Sequence, residues 1–546
     1  MSDDQFIQVG NDFLDDHLRR HPDAATELGD HRFDGHLTDL SSPALAGERR
    51  ALADFAGRLD AVGAGLSAEH QVDAAILANS IARRIFELDE LRDHTWDPLA
   101  ANPGRAIYML LAREFAPLPD RLESVAGRLA EVPDALATAR TRLGVMPKVH
   151  LETAVGQFAG TIALIQSEID AALTAAPQCK DVIEKFRPDA LAALAAHRDW
   201  LSAKLAGTTE FADPRLGADR FARKLSLTLN AAADAGAILV RANADLDRLS
   251  AEITELAAEM GGGVREVLDR LAADAPDDAS ILGFCRDALA AQIAFVRDHD
   301  LVTVHDDPVE VIEMPEIDRG VAVAYCDPPG SLESLRSNGL ALATFIAVSP
   351  APADWSAERV TSFYREYNQH MVQDLMVHEA MPGHYLQLMH SKRFAGSGTQ
   401  VRAAFWSGSF VEGWAVYAEE VMAAHRYPGT GDPRTLRMQQ LKMQLRMTLN
   451  AILDAGVHAH GMTEPEAMEL MLGRGFQEEG EAAGKWRRAL LTSAQLSTYY
   501  VGYTEVADLA RDVRAAKPAL SECQLHDAML GHGSPPARLL RTLILP

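Results

Sequence analysis

The feature that most constrains the fold of this chain is the helical spacing of its apolar residues. The first 300 residues are rich in Ala, Leu, Arg, Asp and Glu, and their apolar side chains recur at steps of three and four. One such stripe spans Leu122–Val132 and another spans Ile162–Leu173. This spacing places apolar residues on one face of a helix. The sequence therefore predicts long helices packed on one another over residues 1–300.

The sequence pattern changes between residues 300 and 350, where short β-rich runs are separated by proline and glycine. These runs are Leu301–Val304, Val309–Ile312, Gly320–Tyr325 and Ala341–Val348. Runs of β-branched residues bounded by turn formers are typical of short strands. We therefore expect a small sheet in this segment.

Two histidines and a glutamate stand close together in the run Met376-Val-His-Glu-Ala-Met-Pro-Gly-His-Tyr-Leu-Gln387. Many zinc hydrolases use such a run to present two imidazole ligands and a general base. His378 and His384 are six residues apart, however, which on an unbroken helix separates them by roughly 240°. On such a helix the two rings would not reach one metal ion.

Pro382 and Gly383 offer a way to break the helix between the histidines. Pro382 has no N–H to donate and its ring clashes with the carbonyl of His378, while Gly383 tolerates backbone angles closed to other residues. A loop over Met381–Gly383 would return His384 to the face that carries His378. The alternative is that Pro-Gly simply ends the helix and the histidines never meet.

Glu412 lies in the later run Val411-Glu-Gly-Trp-Ala-Val-Tyr-Ala-Glu-Glu420 and can complete a site of two histidines and one carboxylate. A charge in so apolar a segment needs a partner, and zinc would be one. Glu419 and Glu420 are competing candidates. Glu419 lies seven residues after Glu412, on roughly the same helical face, and could instead hydrogen-bond a ligand histidine.

The run His-Glu-Ala-x-Pro-Gly-His followed by Glu-Gly-Trp-Ala resembles the bacterial domain-of-unknown-function 885 family, considered zinc-peptidase-like. The resemblance covers nearly the whole chain and includes His21–Gly29, Asp454–His458 and Gly533–Pro535, together with Arg446. It favours Glu412 as the third metal ligand, because the family's Glu-Gly-Trp falls there. Two departures affect the expected substrate preference rather than the metal site: Ala489 stands where tyrosine is common, and Ser493-Ala494 replaces a usual Pro-Gly.

The motif and the resemblance predict a zinc-dependent metallopeptidase that hydrolyses short peptides, with one zinc ion per chain. Glu379 is the expected general base for the attacking water. His458 and Tyr499 are candidates for a donor to the oxyanion, because zinc peptidases commonly supply His or Tyr from a later helix.

Several further residues are candidates for binding the substrate. Arg488, Gln495, Tyr499 and Tyr503 fall on one helical face by spacing and would line the site. Arg488 or Arg446 is expected to hold a substrate carboxylate. For each arginine, the alternative of an ion pair within the protein fits the sequence at least as well. Arg446 with Asp454 is one such pair.

The fold expected from these features is mainly α-helical, with a central cleft and a small β-sheet near the metal site. Its segments are a helical scaffold at 1–300, a β-rich segment at 301–350 and a helical metal-site lobe at 351–546, joined in one integrated unit. In zinc peptidases of the thermolysin and angiotensin-converting-enzyme type, a strand beside the metal commonly pairs with the substrate backbone. By that resemblance Ala341–Val348 would be such an edge strand, or else part of a buried structural sheet.

Composition narrows the classes of partner. The net charge of −26 repels phosphate backbones and anionic membranes, so neither nucleic acid nor a membrane is expected as a partner. The four cysteines form no CxxC pair and are expected to be reduced thiols. The first residues lack the pattern of a secretory signal, which favours a cytoplasmic location.

Two other functions are consistent with the sequence: a zinc hydrolase of a non-peptide amide or modified amino acid, and a non-catalytic helical binding protein with a relic metal site. The oligomeric state is left open.

Overall fold

A computed structural model describes the chain except for residues 1, 64, 232, 316–322, 334–340, 353–354, 395, 397 and 546. The chain forms two compact units. Unit 1 comprises Met1–Pro214, Pro329–Leu342 and Ser397–Ala404, and unit 2 comprises Arg215–Pro328, Ala343–Gly396 and Phe405–Pro546. The histidine motif and the later Glu-Gly-Trp run therefore both lie in unit 2. The segment boundaries expected near residues 300 and 350 stay a prediction.

Helices make up most of the described chain, which confirms the predicted mainly α-helical class. In chain order they are α1 (Ser2–Arg20), α2 (Pro22–Leu28), α3 (Ser42–Val62), α4 (Ala68–Phe86), α5 (Gly104–Ala112), α6 (Leu118–Arg142), α7 (Lys148–Ala175), α8 (Lys180–Glu184), α9 (Arg187–Gly207), α10 (Ala218–Thr228), α11 (Ala235–Glu259), α12 (Val264–Leu271), α13 (Ile281–Asp298), α14 (Ala357–Glu366), α15 (Gln369–Glu379), α16 (His384–Arg393), α17 (Val401–Ala404), α18 (Gly408–Ala424), α19 (Pro433–His460), α20 (Glu464–Gly473), α21 (Glu479–Leu491), α22 (Ser497–Ala516), α23 (Glu522–Leu530) and α24 (Ala537–Ile544). Short single turns lie between several of them.

Unit 1 consists of packed helices, among which α9 contacts both α6 and α7. The apolar stripe predicted over Leu122–Val132 is confirmed as core, because its apolar side chains are fully buried. The segment around α17 returns to this unit through a buried ion pair, in which Arg402 Nε donates to Asp73 Oδ1 over 2.7 Å. A buried charge that keeps a close partner avoids most of the cost of leaving water.

Unit 2 holds α15, α18, α19 and α22 around one apolar core. Two glycines let α18 and α22 approach at backbone distance. A Cβ placed on Gly502 would lie 1.9 Å from Ser409 O, and one placed on Gly413 would lie 2.2 Å from the carbonyl carbon of Gly502. Only residues without a Cβ fit at this crossing. The crossing holds α22, which carries Tyr499, against the turn of α18 that carries Glu412.

A three-stranded sheet also lies in unit 2, as predicted. Its strands are β1 (Val309–Glu313), β2 (Ala324–Asp327) and β3 (Thr344–Val348), in the order β1-β3-β2. β3 pairs parallel with β1 and antiparallel with β2, with Ile346 opposite both Val311 and Cys326.

The prediction that Ala341–Val348 supplies an edge strand is wrong, because β3 is the central strand of this sheet. Leu301–Val304 forms no strand either. The Gly320–Tyr325 run falls partly outside the described residues, and its described end contributes to β2.

Two helices, not one, lead from Ala357 to the histidine motif. α14 ends at Glu366, and Asn368 begins a new helix by accepting hydrogen bonds from His370 N (3.1 Å) and Met371 N (3.2 Å). Asparagine is a preferred N-cap because its side-chain oxygen satisfies amides that have no partner within the helix. The short α15 is therefore positioned independently of α14, and it carries His378 and Glu379 at its C-terminal end.

Among the described helices, none is both long and apolar enough to cross a membrane.

Candidate metal centre

The two motif histidines meet because the helix is interrupted between them. α15 ends at Glu379 and α16 begins at His384. In the intervening loop, which contains a cis Met381–Pro382 peptide bond, Gly383 N donates to Val377 O over 2.9 Å. The ring centroids of His378 and His384 lie 4.7 Å apart, nearly perpendicular to each other. The loop inferred from Pro-Gly thus returns the second histidine to the first.

Gly383 is needed in this loop for lack of space rather than for its backbone angles. A Cβ at this position would lie 1.9 Å from His378 O and 2.4 Å from Val377 O. Both are backbone atoms of the preceding helix, so neither can rotate away. The close return of the chain therefore requires the one residue that has no side chain.

Glu412 reaches the same point from α18. Its Oε2 lies 3.5 Å from His378 Nε2 and 3.6 Å from His384 Nε2. Ser407 begins α18 by accepting a hydrogen bond from Phe410 N over 3.2 Å. Each of the three residues offers a ligand atom within 4.8 Å of the others, and no other such group of potential metal ligands lies among the described residues. We refer to His378, His384 and Glu412 as the HHE cluster.

The indole of Trp414 joins the two motifs directly. Its Nε1 donates to Pro382 O over 2.8 Å, so the residue two positions after Glu412 holds the loop that delivers His384. Trp414 is 1% exposed. A buried indole N–H needs an acceptor, and here the acceptor is the loop carbonyl.

The donor set and its spacing fit a metal ion. Glu412 Oε2 and His384 Nδ1 are buried and have no hydrogen-bond partner among the described residues. Zinc with bonds of about 2.0–2.1 Å in tetrahedral geometry separates neighbouring ligand atoms by roughly 3.3–3.4 Å. The two separations of 3.5 and 3.6 Å are close to that value. Two imidazoles and one carboxylate also match the ligand types of catalytic zinc sites.

Glu419 lies behind the HHE cluster and orients one of its ligands. Its Oε1 is 2.6 Å from His378 Nδ1, and its side chain is 1% exposed. Burial by itself lowers the pKa of His378, but the carboxylates of Glu412 and Glu419 outweigh it and hold the pKa well above the usual value. With Nδ1 donating to Glu419, Nε2 is the nitrogen that faces Glu412 and would bind a metal.

Replacing Glu419 by glutamine is expected to weaken zinc binding by about 10–100-fold, because His378 loses the carboxylate that fixes its tautomer and ring orientation. Competition with a chromophoric zinc chelator measures this affinity. Glu420→Gln is the matched control, since Glu420 accepts a hydrogen bond from Tyr503 instead and is expected to leave the affinity unchanged. Equal affinity in wild type and Glu419→Gln would show that this carboxylate does not support the metal.

Glu379 stands beside the HHE cluster with one oxygen held. Its Oε2 accepts a hydrogen bond from Cys326 N of β2 over 3.0 Å. Among the described residues none donates to Oε1, which is the oxygen left to take a proton. Burial raises the pKa of Glu379 and the Glu412 carboxylate adds to the rise, while His384, His378 and the Cys326 amide oppose it.

Tyr499 and Arg488 form a second group beside the cluster. Arg488 donates to Tyr499 Oη over 3.0 Å and to Gln495 Oε1 over 2.9 Å. Burial raises the pKa of Tyr499 and the Glu412 carboxylate raises it further, which places the phenol within the electrostatic reach of the HHE cluster. The prediction that these three residues share one helical face is wrong, because Arg488 lies on α21, Tyr499 on α22 and Gln495 between the two helices. The turn between α21 and α22 nevertheless brings their side chains into contact. Their roles in binding and catalysis remain predictions.

The other residues predicted to line the site are engaged elsewhere. His458 Nε2 lies 2.9 Å from Ala489 O and 2.8 Å from Thr492 O, which binds it to the end of α21. Tyr503 donates to Glu420. These hydrogen bonds hold the end of α21 and the side chain of Glu420. Neither His458 nor Tyr503 is therefore assigned a part in hydrolysis.

Arg446 pairs with Glu481 and donates to Tyr367 Oη over 3.3 Å. The suggested Arg446–Asp454 pair is wrong. Asp454 instead accepts from Ala494 N and from Ser497 N and Oγ near the start of α22. The structural-pair alternative for Arg446 is therefore the one the structure supports.

Two contributors to the site carry weak sequence signals. Cys326 acts through its backbone amide, so its residue type gives no hint of the contact with Glu379. Asp374 is 1% exposed; burial raises its pKa well above its usual value, and the Glu419 carboxylate raises it further. Its position one helical turn before His378 is a spacing that could have singled it out.

The similarity of this chain to a known protein family extends over nearly its whole length. The family model described as bacterial protein of unknown function (DUF885) matches residues 22–544. The chain belongs to the DUF885 family. No curated protein matches the chain.

Two solved structures share the fold of this DUF885 protein. The first, described as "a putative lipoprotein of unknown function from Shewanella oneidensis", is 27% identical, with a TM-score of 0.82 over 99% of this chain and 100% of that chain. The second, described as "the putative lipoprotein from Colwellia psychrerythraea", is 16% identical, with a TM-score of 0.79 over 99% of this chain and 98% of that chain.

The first of these descriptions contradicts one sequence-based prediction. A cytoplasmic location was expected, but the similar protein from Shewanella oneidensis is described as a putative lipoprotein, which points to a membrane-anchored or exported protein. The prediction of a cytoplasmic location is therefore wrong. It rested on the pattern of the first residues, and that pattern is a weak guide to where a chain finally resides.

Proposed function

We propose that this DUF885 protein is a zinc-dependent hydrolase that cleaves amide bonds of short peptides. The observation that carries the proposal is the convergence of His378, His384 and Glu412, with Glu379 directly beside them. Two imidazoles, a carboxylate ligand and an adjacent carboxylate that can accept a proton are the parts of a metal-assisted hydrolase.

Each residue has a defined task in the proposed reaction. A zinc ion held by the HHE cluster would supply Lewis-acid polarisation of water and of the scissile carbonyl. Glu379 takes the proton of the attacking water on Oε1 and passes it to the leaving amine. The Cys326 amide holds Oε2, so the carboxylate keeps one orientation during both transfers. The phenol of Tyr499, held by Arg488, donates to the developing oxyanion.

Hydrolysis of randomised peptides tests the proposal. The full chain, loaded with zinc and incubated with a mixture of short peptides, is expected to release new amino termini that mass spectrometry detects. A chelator should abolish the release and added zinc should restore it. Absence of cleavage by the zinc-loaded protein across a broad peptide library would contradict the peptidase assignment.

A further inference from the structure

Two basic side chains lie on one face of α21, one with a long ion pair and one with no carboxylate partner among the described residues. They are Lys485 and Arg488, three residues apart and thus neighbours on the helix surface. The chain contains 78 acidic and 52 basic residues, so acidic partners are abundant. Even so, Arg488 pairs with no carboxylate of the described residues, and Lys485 pairs with one at 3.8 Å.

Arg488 makes hydrogen bonds to neutral groups only. One nitrogen of its guanidinium serves both Gln495 Oε1 (2.9 Å) and Tyr499 Oη (3.0 Å). No carboxylate of the described chain forms an ion pair with it, in contrast to Arg446, which pairs with Glu481. The planar fork of the guanidinium therefore keeps its other donors for a further acceptor.

Lys485 is buried, and its ion pair is long and shared. Its side chain is 5% exposed, and Nζ lies 3.8 Å from Glu481 Oε1. Glu481 is already bound to Arg446 and accepts from Tyr367 Oη over 3.1 Å. Burial lowers the pKa of Lys485 well below its usual value and the charge of Arg446 lowers it further. A buried ammonium with so weak a partner is costly, and a bound anion would remove that cost.

Arg488 adjoins the proposed reaction site, because its partner Tyr499 lies on α22 where that helix packs against Gly413, next to Glu412. Arg488 contacts the hydroxyl of Tyr499, and the pKa of Tyr499 responds to the Glu412 carboxylate of the HHE cluster. An anionic group bound at Arg488 would therefore belong to a ligand that also reaches the metal ligands.

We infer that Arg488 and Lys485 form a subsite for the C-terminal carboxylate of a peptide substrate. This inference rests on the proposed function and names its substrate class: short peptides with a free C-terminus, cleaved near that end. Arg488 would bind the carboxylate in a bidentate manner and Lys485 would add a point charge. Because the pair recognises a carboxylate, an acidic side chain within a peptide has the same chemistry, and the test must separate these two sources.

The test measures binding apart from turnover. Zinc-loaded full chain carrying Glu379→Gln is mixed with two randomised tripeptide libraries, one ending in a free acid and one in an amide, and bound peptides are identified by mass spectrometry. The free acids are expected to be retained at least about tenfold better, the effect of a charge-assisted hydrogen-bonded pair. In Arg488→Gln and in Lys485→Met, made as separate variants, the ratio of free-acid retention to amide retention should fall toward one. Retention of the amides should stay the same.

Arg487→Gln is the matched control, because Arg487 is an exposed arginine on the same helix. It should leave the preference intact, and circular dichroism checks the fold of each variant. Equal retention of both libraries, or a preference unchanged in Arg488→Gln and Lys485→Met, would overturn the inference. So would retention governed by internal Asp or Glu in the amide library, or no retention of free acids at all. Cleavage of both libraries by the wild-type protein would leave the proposed function standing while the inference fell.

Discussion

Glu379→Gln is expected to lower kcat/KM for peptide hydrolysis by about 10²–10⁴-fold, the usual contribution of a positioned general base. Glutamine has nearly the same shape, and its side-chain oxygen can still accept the hydrogen bond from Cys326 N. It cannot accept the proton of the attacking water. The variant is therefore expected to fold normally, keep its metal and lose its activity, as measured by peptide cleavage together with metal content.

The separation of metal from activity is what makes this variant informative. Glu379 is not one of the HHE ligands, so a loss of zinc would mean that the variant had disturbed the cluster itself. Glu358→Gln removes one exposed carboxylate from α14 and should leave cleavage unchanged. Retained activity in Glu379→Gln, with zinc still bound, would rule out Glu379 as the base.

Gly383→Ala is expected to dismantle the centre without altering any metal ligand. The new methyl group would lie 1.9 Å from His378 O, a backbone atom that can move only if the loop or the end of α15 moves. Such overpacking should lower the free energy of unfolding by about 3 kcal/mol. The shift of the loop should also carry His384 away from Glu412, so bound zinc is lost. Urea denaturation and metal analysis measure the two effects.

Gly484→Ala in α21 provides the matched control. Nothing lies within 4 Å of a Cβ at that position, so the substitution should fit without strain. Alanine is the better helix former, and the free energy of unfolding should rise by up to about 1 kcal/mol. Wild-type stability and wild-type zinc content in Gly383→Ala would contradict the proposed reason for glycine at this position.

The parts of the metal centre that could be predicted depend on residues that lie close together in the sequence. The helix break between His378 and His384 follows from Pro382, because the ring and missing N–H of a proline disrupt a helix in any fold. Glu419 was expected near a ligand histidine from its spacing to Glu412, and it lies 2.6 Å from His378 Nδ1. The mainly helical class follows in the same way from apolar spacing.

Long-range pairing accounts for what could not be predicted. Strand order is decided by contacts between distant segments, so nothing within Ala341–Val348 shows that β3 is central. The partner of Arg446 could not be found from nearby residues either, because Glu481 lies on another helix. A single asparagine at position 368 begins the helix that carries His378. The helical spacing of apolar residues does not by itself reveal where one helix ends and the next begins.

Close packing between the two motifs is the other feature hidden from the sequence. The Glu-Gly-Trp run supplies a metal-ligand candidate, a glycine that admits α22 and an indole that holds the loop before His384. Each residue acts on a different neighbour, which explains why adjacent positions serve one site. Spacing identifies Glu412, but the tasks of Gly413 and Trp414 depend on partners that only the folded chain provides.

Metal content of the purified full chain tests the central claim most directly. Inductively coupled plasma mass spectrometry should find close to one zinc ion per chain, since the HHE cluster offers a single site. His384→Ala should lose that zinc, whereas His460→Ala, which removes an exposed histidine at the end of α19, should retain it. No bound zinc even after zinc is added back, or equal zinc in wild type and His384→Ala, would contradict the metal centre and with it the proposed hydrolase.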